Sequence, residues 1–141
     1  MEEIMRDQSK VAAAKDMHVL LSDVTHGEVV VDKLRLRQVM DNLISNAIKF
    51  SPRGSTIVTC VHRGDGLWRI SIRDQGPWLS GKDRERAFQG YGRLSAKPTG
   101  GEKSTGLGLI IVRHLVEAHC GRVGVDSMLG HGATFWFTLP A

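Results

Sequence analysis

The chain has 141 residues, 41% hydrophobic and 24% charged, the composition of one ordinary globular domain with apolar residues enough for a core. No apolar run approaches the length of a membrane span, and the opening Met1-Glu2-Glu3 is acidic where a secretion signal is basic, so a cytoplasmic domain without direct membrane contact is expected. The net charge of +4 suits an anionic partner, but no Arg/Lys run is interleaved with aromatics, so a nucleic-acid surface is not expected, whereas a polyphosphate ligand remains compatible.

In chain order, residues 1–16 are polar and Ala-rich and read as helical or frayed. Residues 18–22 and 28–31 are short β-prone runs with a turn expected at 23–27. Asp32 is a good N-cap, and Leu36, Val39, Leu43, Ala47 and Phe50 follow at helical spacing until Pro52 and Gly54 stop the helix. Residues 56–62 and 67–73 read as strands of a hairpin turning at Gly64-Asp65-Gly66. After a loop at 75–81, residues 82–88 allow one or two helical turns, and the Gly-, Ser-, Lys- and Pro-rich stretch 89–105 predicts a mobile loop. A second amphipathic helix is expected from about 106 to 118, ending at Gly121, and two strands at 122–127 and 133–139 close the chain. Both helices have one apolar face, so both can cover one side of a mixed, largely antiparallel sheet in a two-layer α/β sandwich.

Cys60 and Cys120 are far apart, each beside apolar residues, and read as buried thiols. The histidines form no zinc-ligand spacing, and no structural zinc is expected.

Three local patterns could hold a phosphate-bearing ligand. Asn42, Asn46 and Lys49 project from one strip at the border of the first helix's apolar face. An amide oxygen is a neutral hard ligand for Mg2+, and a lysine is a point charge for phosphate. Asp74 closes a strand, where a carboxylate can accept a hydrogen bond from an exocyclic amine such as that of adenine, and Gly76 leaves room for a ligand to approach the backbone. Gly100-Gly101-Glu102-Lys103-Ser104-Thr105-Gly106-Leu107-Gly108 runs into a helix start, where backbone N–H groups and the helix dipole favour anions. It is neither a P-loop nor a Rossmann fingerprint. Each pattern alone has an ordinary reading: a solvated helix edge, an Asp-initiated turn, a glycine entry to a helix.

In combination and in this order, Asn-x-x-x-Asn-Ala-x-Lys-Phe, Asp-x-Gly, Phe-x-x-Tyr-x-Arg and Thr-Gly-Leu-Gly-Leu resemble the ATP-binding catalytic domain of sensor histidine kinases, from about residue 32 to 140. That group belongs with gyrase, the Hsp90 chaperones and MutL, and the resemblance implies a Bergerat-type ATP-binding fold over 17–141, with 1–16 a lead-in from a missing dimerisation domain.

The resemblance implies a role for each matched residue. Asn46 ligates Mg2+, Asn42 lies by the triphosphate, Lys49 binds phosphate and Phe50 borders the adenine or sugar. Asp74 reads adenine, with Gly76 as the first glycine of its box. Phe88, Tyr91 and Arg93 resemble the F box, Arg93 as a phosphate contact. Residues 90–104 correspond to the ATP lid. Thr105, Gly106, Leu107 and Gly108 hold phosphates through backbone amides. Phe135 and Phe137 are expected in the core.

The ATP-hydrolysing relatives carry a Glu four residues before the metal-binding Asn; here that position is Asn42, and an amide cannot act as a general base. Asp41 is adjacent, but one residue along a helix is a rotation of about 100°. Transfer to another acceptor is therefore favoured over hydrolysis, with Asn42, Lys49 and Arg93 as the catalytic set. The acceptor itself is lacking: the residues after the six histidines are Val19, Gly27, Arg63, Leu115, Cys120 and Gly132, none acidic as the family's phosphoacceptor motif requires. The partners implied are the parent's histidine-bearing dimerisation domain and a downstream response regulator, with the isolated domain monomeric and inactive alone. One departure stands out. The family's Asp-x-Gly-x-Gly reads Asp74-Gln75-Gly76-Pro77-Trp78 here. Trp78 can turn outward, stack on or cover the base, or fill the pocket and leave a degenerate module that works by contact.

Overall fold

The computed structural model describes residues 1–76, 87–88, 108–127 and 132–141. Among these residues the elements are α1 (Glu2–Ala13), β1 (His18–Val24), α2 (Lys33–Phe50), β2 (Thr56–Gly64), β3 (Leu67–Arg73), α3 (Gly108–Ala118), β4 (Val123–Ser127) and β5 (Ala133–Pro140). The sheet order is β1-β2-β3-β5-β4, with β1 parallel to β2 and every other pairing antiparallel. The helices lie on one face, so the fold is the two-layer α/β sandwich that the amphipathic patterns predict.

Alternation builds the inner face of the sheet. Trp68, Ile70 and Ile72 of β3 point to the helices, and so do Phe135, Phe137 and Leu139 of β5. Phe135 and Phe137 are core residues, as expected. Val39, Met40, Leu43, Ile44, Ala47 and Ile48 of α2 meet them from the other layer, together with Val112 and Val116 of α3. Ile4, Met5 and Ala12 place α1 in the same core. The β2–β3 turn is tight because Asp65 and Gly66 both have positive φ, 51° and 74°, the conformation that the Gly64-Asp65-Gly66 signal predicts.

Two expectations are corrected. Residues 28–31 are not a strand. Val29 and Val31 do pack on the core while Glu28 and Val30 face out, so the period of two is real, but no ladder forms beside them. The turn signal at Asp23 is used inside β1 instead: Asp23 has φ 48° at a bulge where the β1–β2 register shifts between Ser22 and Val24. The cysteines also differ from the reading, since Cys60 is half-buried and Cys120 is exposed. The helical turns expected at 82–88 and the loop expected at 89–105 fall largely outside the described residues. No described helix is long and apolar enough to cross a membrane.

Candidate functional site

The site is organised by α2. Asp32 starts it, its carboxylate accepting from Leu34 N at 3.0 Å and Arg35 N at 3.2 Å. Eighteen helical residues follow. Asn42, Asn46 and Lys49 fall within a sector of about 60° and are half-buried, at the rim between the apolar stripe and solvent. Among the described residues no hydrogen bond engages the Asn42 or Asn46 amide, so both keep their oxygens for something else.

Helix α3 brings backbone N–H groups to that strip. It lies beside α2 in the opposite direction and is tied at both ends. At its start, a Cβ built on Gly108 would stand 3.5 Å from Asn42 Oδ1, ordinary van der Waals distance. Just past its end, His119 Nε2 accepts from Asp32 N at 3.2 Å while its Nδ1 faces the Leu115 carbonyl at 2.8 Å. That carbonyl fixes the proton on Nδ1. The described start of α3, Gly108, therefore lies next to Asn42, and a helix start carries partial positive charge.

At the other end of α2 stands Asp74. It continues β3, and its backbone N–H bonds Ala133 O at 2.9 Å. Its Oδ1 accepts from Gly76 N at 2.9 Å and Ala133 N at 3.1 Å, while no described residue bonds Oδ2. The side chain is 3% exposed. Burial raises its pKa above the usual carboxylate value, and the Gly76 and Ala133 N–H groups partly oppose that. The turn after it is seated on the end of α2. Gln75 N donates to Ser51 Oγ at 3.3 Å, and Thr56 N donates to Gln75 Oε1 at 2.8 Å. A Cβ on Gly76 would stand 2.8 Å from the Phe50 carbonyl oxygen. The glycine is thus required by the approach of Phe50, a role that the expectation of ligand access did not include.

Asn42 and Phe50 are eight residues apart on one helix, a rise of about 12 Å. The strip so links an anion-attracting helix start at one end with a buried carboxylate at the other. Of the residues singled out from sequence, Asn42, Asn46, Lys49, Phe50, Asp74, Gly76 and Gly108 are brought together around α2. Trp78, Tyr91, Arg93, Thr105, Gly106 and Leu107 lie outside the described residues. Phe88 is a core residue, edge-on to Phe135 with centroids 6.1 Å apart. Sequence reasoning missed Ser51, Gln75 and Ala133, which hold the Asp74 turn; only Gln75's place beside Asp74 hinted at it.

The family described as histidine kinase-, DNA gyrase B-, and HSP90-like ATPase matches residues 31–141. The sensor histidine kinase WalK of Bacillus subtilis (strain 168) is 40% identical over 114 residues, covering 79% of this chain and 19% of that kinase. The chain spans less than a third of the first curated kinases it matches. Among solved structures, the mycobacterial sensor histidine kinase MprB superposes with a TM-score of 0.84 at 26% identity, covering 99% of this chain and 95% of that one. Full-length ShkA in complex with AMPPNP gives 0.80 at 32% identity, covering 99% of this chain and 28% of that one.

Proposed function

Because this chain belongs to the histidine kinase-, DNA gyrase B-, and HSP90-like ATPase family, and is similar to the sensor histidine kinases WalK and MprB, we propose that it is a Mg-ATP-binding catalytic unit that presents the γ-phosphate to a histidine on a separate domain. The observation that supports this most is Asp74: a buried carboxylate with one oxygen fixed by two backbone N–H groups and the other without a described partner. That second oxygen is the acceptor for the adenine amine. Phosphates extend along α2 toward Asn42 and the start of α3. Lys49 neutralises them, and Arg93 is assigned the same task by its motif. The G2-box residues Thr105, Gly106 and Leu107 are assigned the phosphate-holding amides.

The half-buried amides of Asn42 and Asn46 are oxygen donors of the kind Mg2+ takes, and Asn46 is the residue proposed to hold it. When bound, the ion neutralises phosphate oxygens. The chain's own residues orient the nucleotide and neutralise charge, the main requirements of phosphoryl transfer. The upstream histidine-bearing domain connects through α1, and a response regulator receives the phosphoryl group afterwards.

Titration of the domain with a non-hydrolysable ATP analogue, with and without Mg2+, tests the reading. Saturable binding that strengthens with Mg2+ is expected, and Asn46→Asp should weaken it. No binding at millimolar analogue would sink the proposal and favour the second reading, a contact module whose pocket Trp78 has filled.

A further inference from the structure

We infer that Lys15 is a positioning residue of this nucleotide site: its ammonium group holds the last turn of α2, from which Lys49 and Phe50 project and on which the Asp74 turn sits. The inference rests on the nucleotide reading above and adds a residue that touches no ligand.

The last four carbonyls of a helix have no partner within it. In α2 three of the four have donors from outside the helix among the described residues, and the fourth, Phe50 O, lies against Gly76. Ala47 O accepts from Ser51 N at 3.1 Å. Ile48 O and Lys49 O accept from Lys15 Nζ at 2.8 and 3.2 Å. Phe50 O is the oxygen against which Gly76 is pressed. One side chain from another element therefore fixes the two carbonyls between the turn's first bond and the seat of the Asp74 loop.

The chain delivers Lys15 there by a specific turn. Helix α1 ends with Asp16 N bonded to Ala13 O at 3.1 Å and Met17 N to Ala12 O at 3.0 Å, with Asp16 at φ 55°. This is a Schellman-type ending, and Lys15 stands between the cap residue Ala14 and the left-handed Asp16. Gly54 N bonds Lys15 O at 3.4 Å, so backbone as well as side chain is joined to the region where α2 stops. Lys15 is 7% exposed. Burying an ammonium is costly unless its donors are met, and here they meet a helix C-terminus, whose partial charge is negative. An apolar side chain could fill that space without the cost. What the lysine adds is a fixed position for the carbonyls.

The next residues explain why that position matters. Phe50 O limits how far Gly76 can move, and Ser51 Oγ receives Gln75 N. A last turn that frays shifts both contacts, and Asp74 with them, while Lys49 leaves the strip shared with Asn42 and Asn46.

The test compares wild type with Lys15→Met, Lys15→Gln and Val19→Ala, the last a core truncation on β1 away from the site, by titration with an ATP analogue and Mg2+ and by denaturant melts. Lys15→Met is expected to lose about tenfold or more in affinity, the scale of a small misplacement in a binding site. Lys15→Gln keeps an N–H donor and should lose less. Val19→Ala should be destabilised yet bind as wild type does. Wild-type affinity in Lys15→Met, or an equal loss in Val19→Ala, overturns the role of Lys15 and leaves the nucleotide reading standing. Absence of binding by wild type overturns both. Should Lys15→Met not fold, Lys15→Gln decides: a loss in affinity beyond that of Val19→Ala supports the role, and wild-type affinity overturns it.

Discussion

Gly132 presses against Asp74: a Cβ built on it would stand 2.3 Å from the Asp74 carbonyl oxygen and 3.1 Å from Oδ1. Its φ of 68° adds a second demand that only glycine meets without strain. Gly132→Ala should therefore cost about 1–3 kcal/mol from backbone strain, with the contact adding to it. Because the clash falls on the residue proposed to read adenine, nucleotide affinity should fall as well. Urea denaturation and analogue titration at a temperature where the variant is folded measure the two effects. A destabilised variant with wild-type affinity would show that Gly132 does not set the place of Asp74.

Asp74→Asn separates binding from stability. Burial raises the Asp74 pKa above 3.8. Between 3.8 and the raised folded value the folded state holds more protons than the unfolded one, so this group's effect on stability becomes less favourable as pH rises through that window. An amide cannot ionise and escapes the loss. Relative to wild type, Asp74→Asn should gain melting temperature above the window, and the gain should vanish below 3.8. Affinity for the analogue should fall by about tenfold or more near neutral pH, because a charged acceptor is lost. Melts across pH together with one titration check both halves.

What the sequence makes legible follows from how local each cause is. Asp32, the apolar spacing after it and Pro52 fix α2 within a few residues, because caps and periodicity act within one or two turns. Asp65-Gly66 fixes the hairpin for the same reason. The family motifs give Asn42, Asn46 and Asp74, but not what holds them. Ala133 at the start of β5, and Gly132 just before it, reach Asp74 from some sixty residues on. Lys15 reaches Ile48 across two elements, a separation of 33 residues, and nothing near Lys15 in the chain marks it as a cap for another helix. The 28–31 run failed as a strand for a related reason. Its alternation was readable, but a strand also needs a partner edge, and propensity carries no information about one.

The end of α3 offers a stability test away from the ligand. Cys120 N bonds Glu117 O at 2.9 Å and Gly121 N bonds Val116 O at 2.9 Å, the two bonds of a Schellman ending. Cys120 occupies the left-handed position, with φ 62°, where glycine is usual. Gly121 is needed for space instead: a Cβ there would stand 1.9 Å from the Thr138 carbonyl oxygen. Cys120→Gly should thus stabilise the domain by about 1 kcal/mol through relief of the left-handed strain, less the added freedom of the unfolded chain. Gly121→Ala should destabilise it far more than any exposed substitution. Denaturant midpoints rank the three proteins, and a Cys120→Gly midpoint below wild type would contradict the strain argument.

Asp41 and Asn42 are adjacent but face different neighbours. Asp41 Oδ1 accepts from Gln8 Nε2 at 2.9 Å, and its Oδ2 lies 3.5 Å from Arg37 Nε. Arg37 also bonds Asp7, which holds that carboxyl below its ordinary pKa, and reaches Glu3 at 3.7 Å. The Asp41 carboxylate is therefore spent on fastening α1 to α2, while Asn42 meets the start of α3. It follows that Asp41 cannot stand in for the missing general base. Asp41→Asn should leave analogue affinity and any slow ATP hydrolysis within about twofold of wild type. It should lower stability, since an amide there weakens the Arg37 attraction, and added salt should narrow the difference because these charges are partly exposed. Phosphate-release assays and melts at two ionic strengths read the outcome. Hydrolysis that disappears in Asp41→Asn would place the base at Asp41 and reopen the ATPase reading that Asn42 argues against.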